Sequence, residues 1–263
     1  MLHNFKIMNL IDTHAHLYLK DFSEDIDLVI RRAKEQGIKK ILLPNIDVNT
    51  VKLMLNCCDK YPGICYPMIG LHPTSVNKNW EEELYTIKKL FENHYFCGVG
   101  ETGIDLYWDK TFYNEQVNSF IEHIKIALKY SVPIIIHSRN SIEQILEILS
   151  DYKNINGILH CFSGNIEQAI KATEEMGLKL GIGGVITYKN SMLKKIVEVI
   201  PIQHLVLETD APYLTPIPYR GKRNESSFLP LILNEIAMIK KISYQEAAEI
   251  IFINTNNLFK NFL

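Results

Sequence analysis

Six side chains of this 263-residue chain have the types and spacing to hold metal ions: His14, His16, Glu101, His137, His160 and Asp210. The run Asp12-Thr13-His14-Ala15-His16 follows an apolar stretch and reads as the end of a first β-strand. Side chains on a strand alternate faces, so Asp12, His14 and His16 are expected on one face. Two imidazoles there form a metal clamp; on a helix, residues two apart would point to nearly opposite sides. Further polar residues end later apolar runs: His72 in Gly70-Leu71-His72-Pro73, Glu101 in Gly100-Glu101-Thr102-Gly103, His137 before Ser138-Arg139, His160 before Cys161-Phe162, and Asp210 in Glu208-Thr209-Asp210. The remaining histidines, His3, His94, His123 and His204, lack that placement and read as structural or surface residues. One ion takes roughly three to five protein ligands, so four imidazoles with two carboxylates point to two divalent cations. A carboxylate can offer each oxygen to a different ion, which makes Glu101 the natural bridge. Two cations about 3.5–4 Å apart can polarise a phosphoryl or carbonyl group, activate water and stabilise a leaving oxygen. Imidazole-rich ligation favours Zn, Mn, Co or Fe, whereas Mg prefers oxygen.

Residues so far apart in sequence must be positioned by a repeating scaffold. Strand candidates are 9–14, 39–43, 65–70, 96–101, 132–137, 157–160, 178–183 and 204–208. They are β-branched and mostly lack polar alternation, as strands buried on both faces do. Helical segments alternate with them: a helix from the Ser23 cap to Gln36, then 51–60, 80–92, 112–130, 141–152, 166–176, 193–199, 229–239 and 243–258. Val29, Ile30 and Ala33 form a stripe on the first. Ser243 and Glu246 have the spacing of a capping box. Evenly spaced strands over this length predict an α/β fold, a closed (β/α)8 TIM barrel of one domain spanning 1–263, in preference to an open doubly wound sheet. Such barrels carry their chemistry at the C-terminal strand ends, where these polar residues fall.

The chain is 47% hydrophobic and 22% charged, with a formal charge of −2. That balance gives no global attraction to nucleic acid or to an acidic membrane, so phosphate binding requires a local basic cluster. The five cysteines, Cys57, Cys58, Cys65, Cys97 and Cys161, are odd in number and include no Cys-x-x-Cys. Neither a disulfide framework nor a zinc ribbon is indicated, and a reducing compartment is expected. Residues 1–6 lack the pattern of a signal peptide, and no apolar run approaches the ~18 residues of a membrane helix. A cytoplasmic protein is the expectation.

With these residues in view, the sequence resembles the TatD family of metal-dependent deoxyribonucleases, within the amidohydrolase-like barrels. The matching stretches are IDTHAHL, GLHP, GETGIDLYWD, PIIIHSR, HCFSG, GIGG, ETDAPYLTP and RGKRNE, in that order from residue 11 to residue 225. The resemblance implies a (β/α)8 barrel hydrolysing DNA phosphodiesters with two divalent ions, Zn, Mn or Mg. It implies that His14, His16 and Asp210 hold one ion, that His137 and His160 hold the second, and that Glu101 bridges. Two departures stand out. Thr74-Ser75 follows His72-Pro73 where many members have a second histidine, and Ser226-Ser227 follows Asn224-Glu225 where members tend to have proline. The second change leads us to expect a more mobile loop.

Around the centre, Arg139 and the Arg220-Gly221-Lys222-Arg223 run supply the local basic cluster. Arginine's planar fork suits phosphate, and an aromatic at the mouth can stack a base. Candidate substrate contacts are therefore His72, Arg139, Arg220 and Trp108, with Tyr107 beside it. Phe162, Tyr213 and Cys161 read as packing or core residues. Asp210 and Glu101 are the candidate catalytic groups, Asp210 to orient or deprotonate water. The expected partner is DNA, at single-stranded ends, cleaved as a 3′-5′ exonuclease. The alternative is a metal-dependent esterase such as a D-aminoacyl-tRNA deacylase, or another amidohydrolase-type hydrolase. A non-catalytic nucleic-acid-binding barrel fits less well, since all six candidate ligands are present.

Overall fold

The computed structural model describes residues 8–260; His3 and the stretch 1–6 lie outside them. Among the described residues, the strands β1 (Leu10–Asp12), β2 (Ile38–Pro44), β3 (Cys65–Ile69), β4 (Gly98–Asp105), β5 (Ile134–Arg139), β6 (Gly157–Leu159), β7 (Lys179–Ile182) and β8 (Leu205–Leu207) form one sheet in sequence order. All adjacent pairs are parallel. The ring closes where Thr13 N–H donates to the Leu207 carbonyl (3.0 Å) and Ala15 bridges Ala211. This is the (β/α)8 barrel expected from the sequence. Helices α1 (Ile26–Glu35), α2 (Val48–Lys60), α3 (Trp80–Asn93), α4 (Tyr113–Tyr130), α5 (Ile142–Ser150), α6 (Ile166–Ile170), α7 (Leu193–Val199), α8 (Leu229–Lys240) and α9 (Tyr244–Leu258) cover it. None is long and apolar enough to cross a membrane.

The barrel interior is layered. Ile11, Leu42, Met68, Ile135, Ile158 and Val206 meet in an apolar layer low in the barrel, plugged by Phe259 from beyond α9. The helices turn apolar stripes such as Val29, Ile30 and Ala33 of α1 onto the outer strand faces.

Several local expectations need correction. Ser23 does not cap α1: its hydroxyl donates to the Lys20 carbonyl (2.8 Å), because a 3-10 turn at Lys20–Phe22 intervenes and buries Phe22. Asp47 caps α2, accepting from Thr50 N–H. Ser243 caps α9, accepting from Glu246 N–H (3.1 Å). Strand β4 runs on past Glu101 to Asp105, so Glu101 lies within the strand, beside a register shift against β5. The loop at 224–227 is pinned. Asn224 donates to the carbonyls of Thr209 (2.8 Å) and Tyr213 (2.6 Å), Ser226 donates to Asp12 (2.7 Å), and Ser227 bonds Glu225. The hydroxyls hold what proline would have stiffened.

Candidate metal centre

Strand β1 ends at Asp12, and the segment beyond it crosses the barrel mouth. It brings Nε2 of His14 and Nε2 of His16 within 3.2 Å of each other. Asp12 itself does not share their direction. Its carboxylate is fully buried and accepts from Thr209 N–H and Oγ1 and from Ser226 Oγ, fastening β1 to the chain beyond β8. Burial pushes the Asp12 carboxyl up to about 6, against those bonds.

Glu101 lies between two groups of imidazoles. Oε2 is 3.0 Å from His14 Nε2 and 3.7 Å from His16 Nε2. Oε1 is 2.8 Å from His137 Nδ1 and 3.4 Å from His72 Nε2. Asp210 Oδ1 sits 3.6 Å from Nε2 of both His16 and His160 and 3.8 Å from His14. The His160 ring stacks on His14 at 3.5 Å. Donor atoms gather as His14, His16 and Glu101; as His14, His160 and Asp210; and as His72, His137 and Glu101. His137 and His160, which the resemblance assigns to one ion, enter different groups here.

Outer partners decide which nitrogen each ring turns toward the centre. His160 donates Nδ1–H to Glu208 Oε2 (3.1 Å), leaving Nε2 toward Asp210. His137 donates Nε2–H to Asp105 Oδ2 (3.0 Å), leaving Nδ1 toward Glu101. Tyr18 spends its hydroxyl proton on the Pro44 carbonyl (2.7 Å), so His16 Nδ1–H donates to that carbonyl (3.2 Å) or to Tyr18 Oη (3.0 Å). His72 is the reverse case. Its Nδ1 accepts from Thr74 N–H (3.2 Å) with Thr74 Oγ1 at 2.6 Å, so the neutral ring carries its proton on the Nε2 that faces Glu101. His72 is thus arranged as a hydrogen-bond donor. Asp105, Glu208, Tyr18 and Thr74 were not singled out from sequence. Glu208 and Asp105 did carry a signal: they share strand parity with Asp210 and Glu101.

The electrostatics follow from burial and close opposite charges. Burial would raise Glu101, but His14, His72 and His160 hold it well below the ordinary carboxylate value. Burial lowers His14, and the neighbouring His160 adds to that. Burial would also lower His160, yet the Glu208, Glu101 and Asp210 carboxylates push it up to about 10. Burial would raise Asp105, but the His137 bond and the N–H groups of Tyr107 and Trp108 bring it to about 2.

These residues fit divalent cations. The Nε2 atoms of His14 and His16 lie 3.2 Å apart with the Glu101 and Asp210 carboxylates converging on them, the nitrogen and oxygen donor set that divalent transition ions take. His14 Nδ1 is buried with no hydrogen-bond partner among the described residues, so unlike His160 and His137 this ring has no outer acceptor.

A cavity of about 840 Å³ opens over the centre. His72, Arg139 and Trp108 line it. The Arg139 guanidinium lies 3.8 Å from the Tyr107 ring and 5.3 Å from that of Trp108, a side chain 68% exposed. Arg220 is exposed and stacks on Tyr188 (4.5 Å), outside the cavity lining. Arg223 pairs with Asp25 (2.7 Å). Two readings change. Cys161 is no core residue: its backbone is left-handed (φ 47°), because its N–H reaches Glu208 (2.6 Å), and that turn sends the thiol to the cavity wall. Tyr213, half exposed, also lines the cavity.

A (β/α)8 barrel whose C-terminal mouth gathers imidazoles around one bridging-type glutamate has the architecture of the amidohydrolase-like hydrolases. The family model for TatD related DNase matches residues 11–260. The Bacillus subtilis protein named uncharacterized metal-dependent hydrolase YabD is 37% identical over 254 residues, covering 95% of this chain and 99% of its own. The 3′-5′ ssDNA/RNA exonuclease TatD of Erwinia tasmaniensis is 29% identical, covering 95% and 99%. The crystal structure of YjjV, a TatD homologue from Escherichia coli, superposes with a TM-score of 0.90 at 28% identity, covering 97% and 99%. The chain belongs to the TatD-related DNase family.

Proposed function

We propose that this protein is a metal-dependent hydrolase that cleaves DNA phosphodiester bonds and removes nucleotides from single-stranded 3′ ends. His14, His16, Glu101, His137, His160 and Asp210 would hold two divalent cations. The observation that carries the reading is Glu101, whose two oxygens face separate imidazole groups beneath a cavity rimmed by Arg139. The name of the Erwinia relative, an ssDNA/RNA exonuclease, supports the substrate class.

When bound, the cations supply Lewis acidity toward the phosphoryl oxygens and make water a better nucleophile. Asp210 is 14% exposed, so its carboxylate can reach a water in the cavity, orient it and take its proton. The Arg139 fork, held 3.8 Å over the Tyr107 ring, receives non-bridging phosphate oxygens. His72 donates its Nε2–H to the phosphate, with Thr74 holding the ring. Trp108 offers its face to a base, and Arg220 meets the strand further out.

The test is nucleotide release from 3′-end-labelled single-stranded DNA. Metal-loaded protein, chelator-treated protein and Glu101→Gln are compared. Release that needs metal and that Glu101→Gln abolishes is the expected result. No release from protein measured to hold two ions overturns the nuclease reading and moves the assignment to the ester bond of aminoacyl-tRNA.

A further inference from the structure

The cavity over the centre is far larger than a phosphodiester group requires. Its volume, about 840 Å³, is in the ~300–1,000 Å³ range of pockets that enclose a drug-sized ligand. Its walls differ. Part of the lining is the imidazoles, the carboxylates and Arg139. Another part is apolar: Phe162 from the loop after β6, Val185 from the turn after β7, Met192, Leu193 and Ile196 from the start of α7, and Leu214 from the loop after β8. Every lining residue between 161 and 196 is uncharged. The polar atoms there include the hydroxyls of Ser163 and Ser191.

We propose that this recess takes the base of the nucleotide whose phosphate lies on the centre; the inference rests on the nuclease reading and names how its substrate is held. The phosphate belongs with the cationic side. The part of a nucleotide that matches an apolar wall is the base, with two apolar faces and a polar edge. Serine hydroxyls both donate and accept, so Ser163 and Ser191 can satisfy the edge of any base without selecting one. The exposed Met192 thioether at the lip adapts to purine or pyrimidine alike. A paired, stacked base cannot enter, so the recess admits an unpaired end and accounts for single-strand preference.

Binding tests this independently of turnover. Metal-loaded protein is titrated calorimetrically with thymidine 5′-monophosphate and with 2-deoxyribose 5-phosphate, which lacks the base. Thymidylate is expected to bind roughly ten-fold or more tightly. Val185→Trp, which fills the recess, should erase that difference while metal content stays unchanged. Equal affinities, or no binding of either, overturn the recess whether or not the variant folds. DNA release by the same preparation is read separately. Protein that favours thymidylate yet leaves DNA intact sinks the nuclease reading and keeps the recess. Protein that cleaves DNA while binding both phosphates equally does the opposite.

Discussion

Two layers of one barrel interior are built on the same strands and behave oppositely. In the lower layer, Met68, Ile135, Ile158 and Val206 pack around Phe259. In the upper layer, on β5 or just beyond the C-terminal ends of β3, β6 and β8, stand His72, His137, His160 and Glu208 with Asp210. The lower layer has no charge to stabilise and contributes burial energy. The upper one concentrates charge on a largely buried floor beneath the cavity, so each carboxylate acts strongly on its neighbours. The same walls thus provide stability below and electrostatic strength above.

The largest effect expected of breaking the upper layer alone is on catalysis. Glu101→Gln should lower kcat/KM on single-stranded DNA by about 10³-fold or more, a loss of several kcal/mol of transition-state stabilisation. Circular dichroism melting should meanwhile remain close to that of the parent. Breaking the lower layer should invert the pattern. Phe259→Ala removes a fully buried ring and should cost about 3–5 kcal/mol in urea unfolding. The folded fraction should keep its metal; loss of metal affinity without loss of stability would mean the layers are not separable in this way.

A histidine outside the centre sharpens the contrast. His123 accepts from Leu71 N–H (3.1 Å) and donates to the Ser119 carbonyl (2.7 Å), and burial lowers it from 6.5 to about 4. Between those values the unfolded chain binds the extra proton and the folded chain does not. Its contribution is therefore full above about pH 6.5 and is lost as pH falls toward 4, by about 3 kcal/mol. Urea titrations at pH 7.5 and pH 4.5 should differ less in His123→Gln than in the parent; equal differences would disprove the assignment.

The smallest effect concerns the outer carboxylates. Glu208→Gln and Asp105→Asn should each weaken metal binding about 10–100-fold by releasing His160 or His137 from its tautomer. Competition with a fluorescent chelator measures this, and unchanged affinity would reduce both carboxylates to packing roles.

The strands were readable because doubly buried β-branched runs have few alternatives, and the proposed ligands because each ends or follows such a run. What escaped depended on contacts between distant strands. Glu208 and Asp105 looked like ordinary motif members until their distances to His160 and His137 were known. Cys161 follows His160, and alternation pointed it to the opposite strand face and so into the core; its left-handed backbone places it on the cavity lining instead. Asp12 obeyed no alternation either, because β1 ends there and the carboxylate turns to Thr209 and Ser226. The tethering of 224–227 was not readable because side-chain bonds across 193 or 214 positions, Glu225 to Arg32 and Ser226 to Asp12, leave no local trace.

The seam between β8 and β1 joins residues nearly two hundred positions apart: Thr13 meets Leu207, and the Asp210 N–H meets the His14 carbonyl (2.9 Å). His14 and His16 leave a ribosome before every other residue of the proposed centre, and Asp210 after all of them. During synthesis the centre cannot assemble until almost all of the barrel has emerged. A stalled or truncated product ending before Asp210 carries every imidazole named here and still lacks the carboxylate that completes the mouth. If Asp210 has the role proposed above, topology alone withholds hydrolysis from incomplete chains.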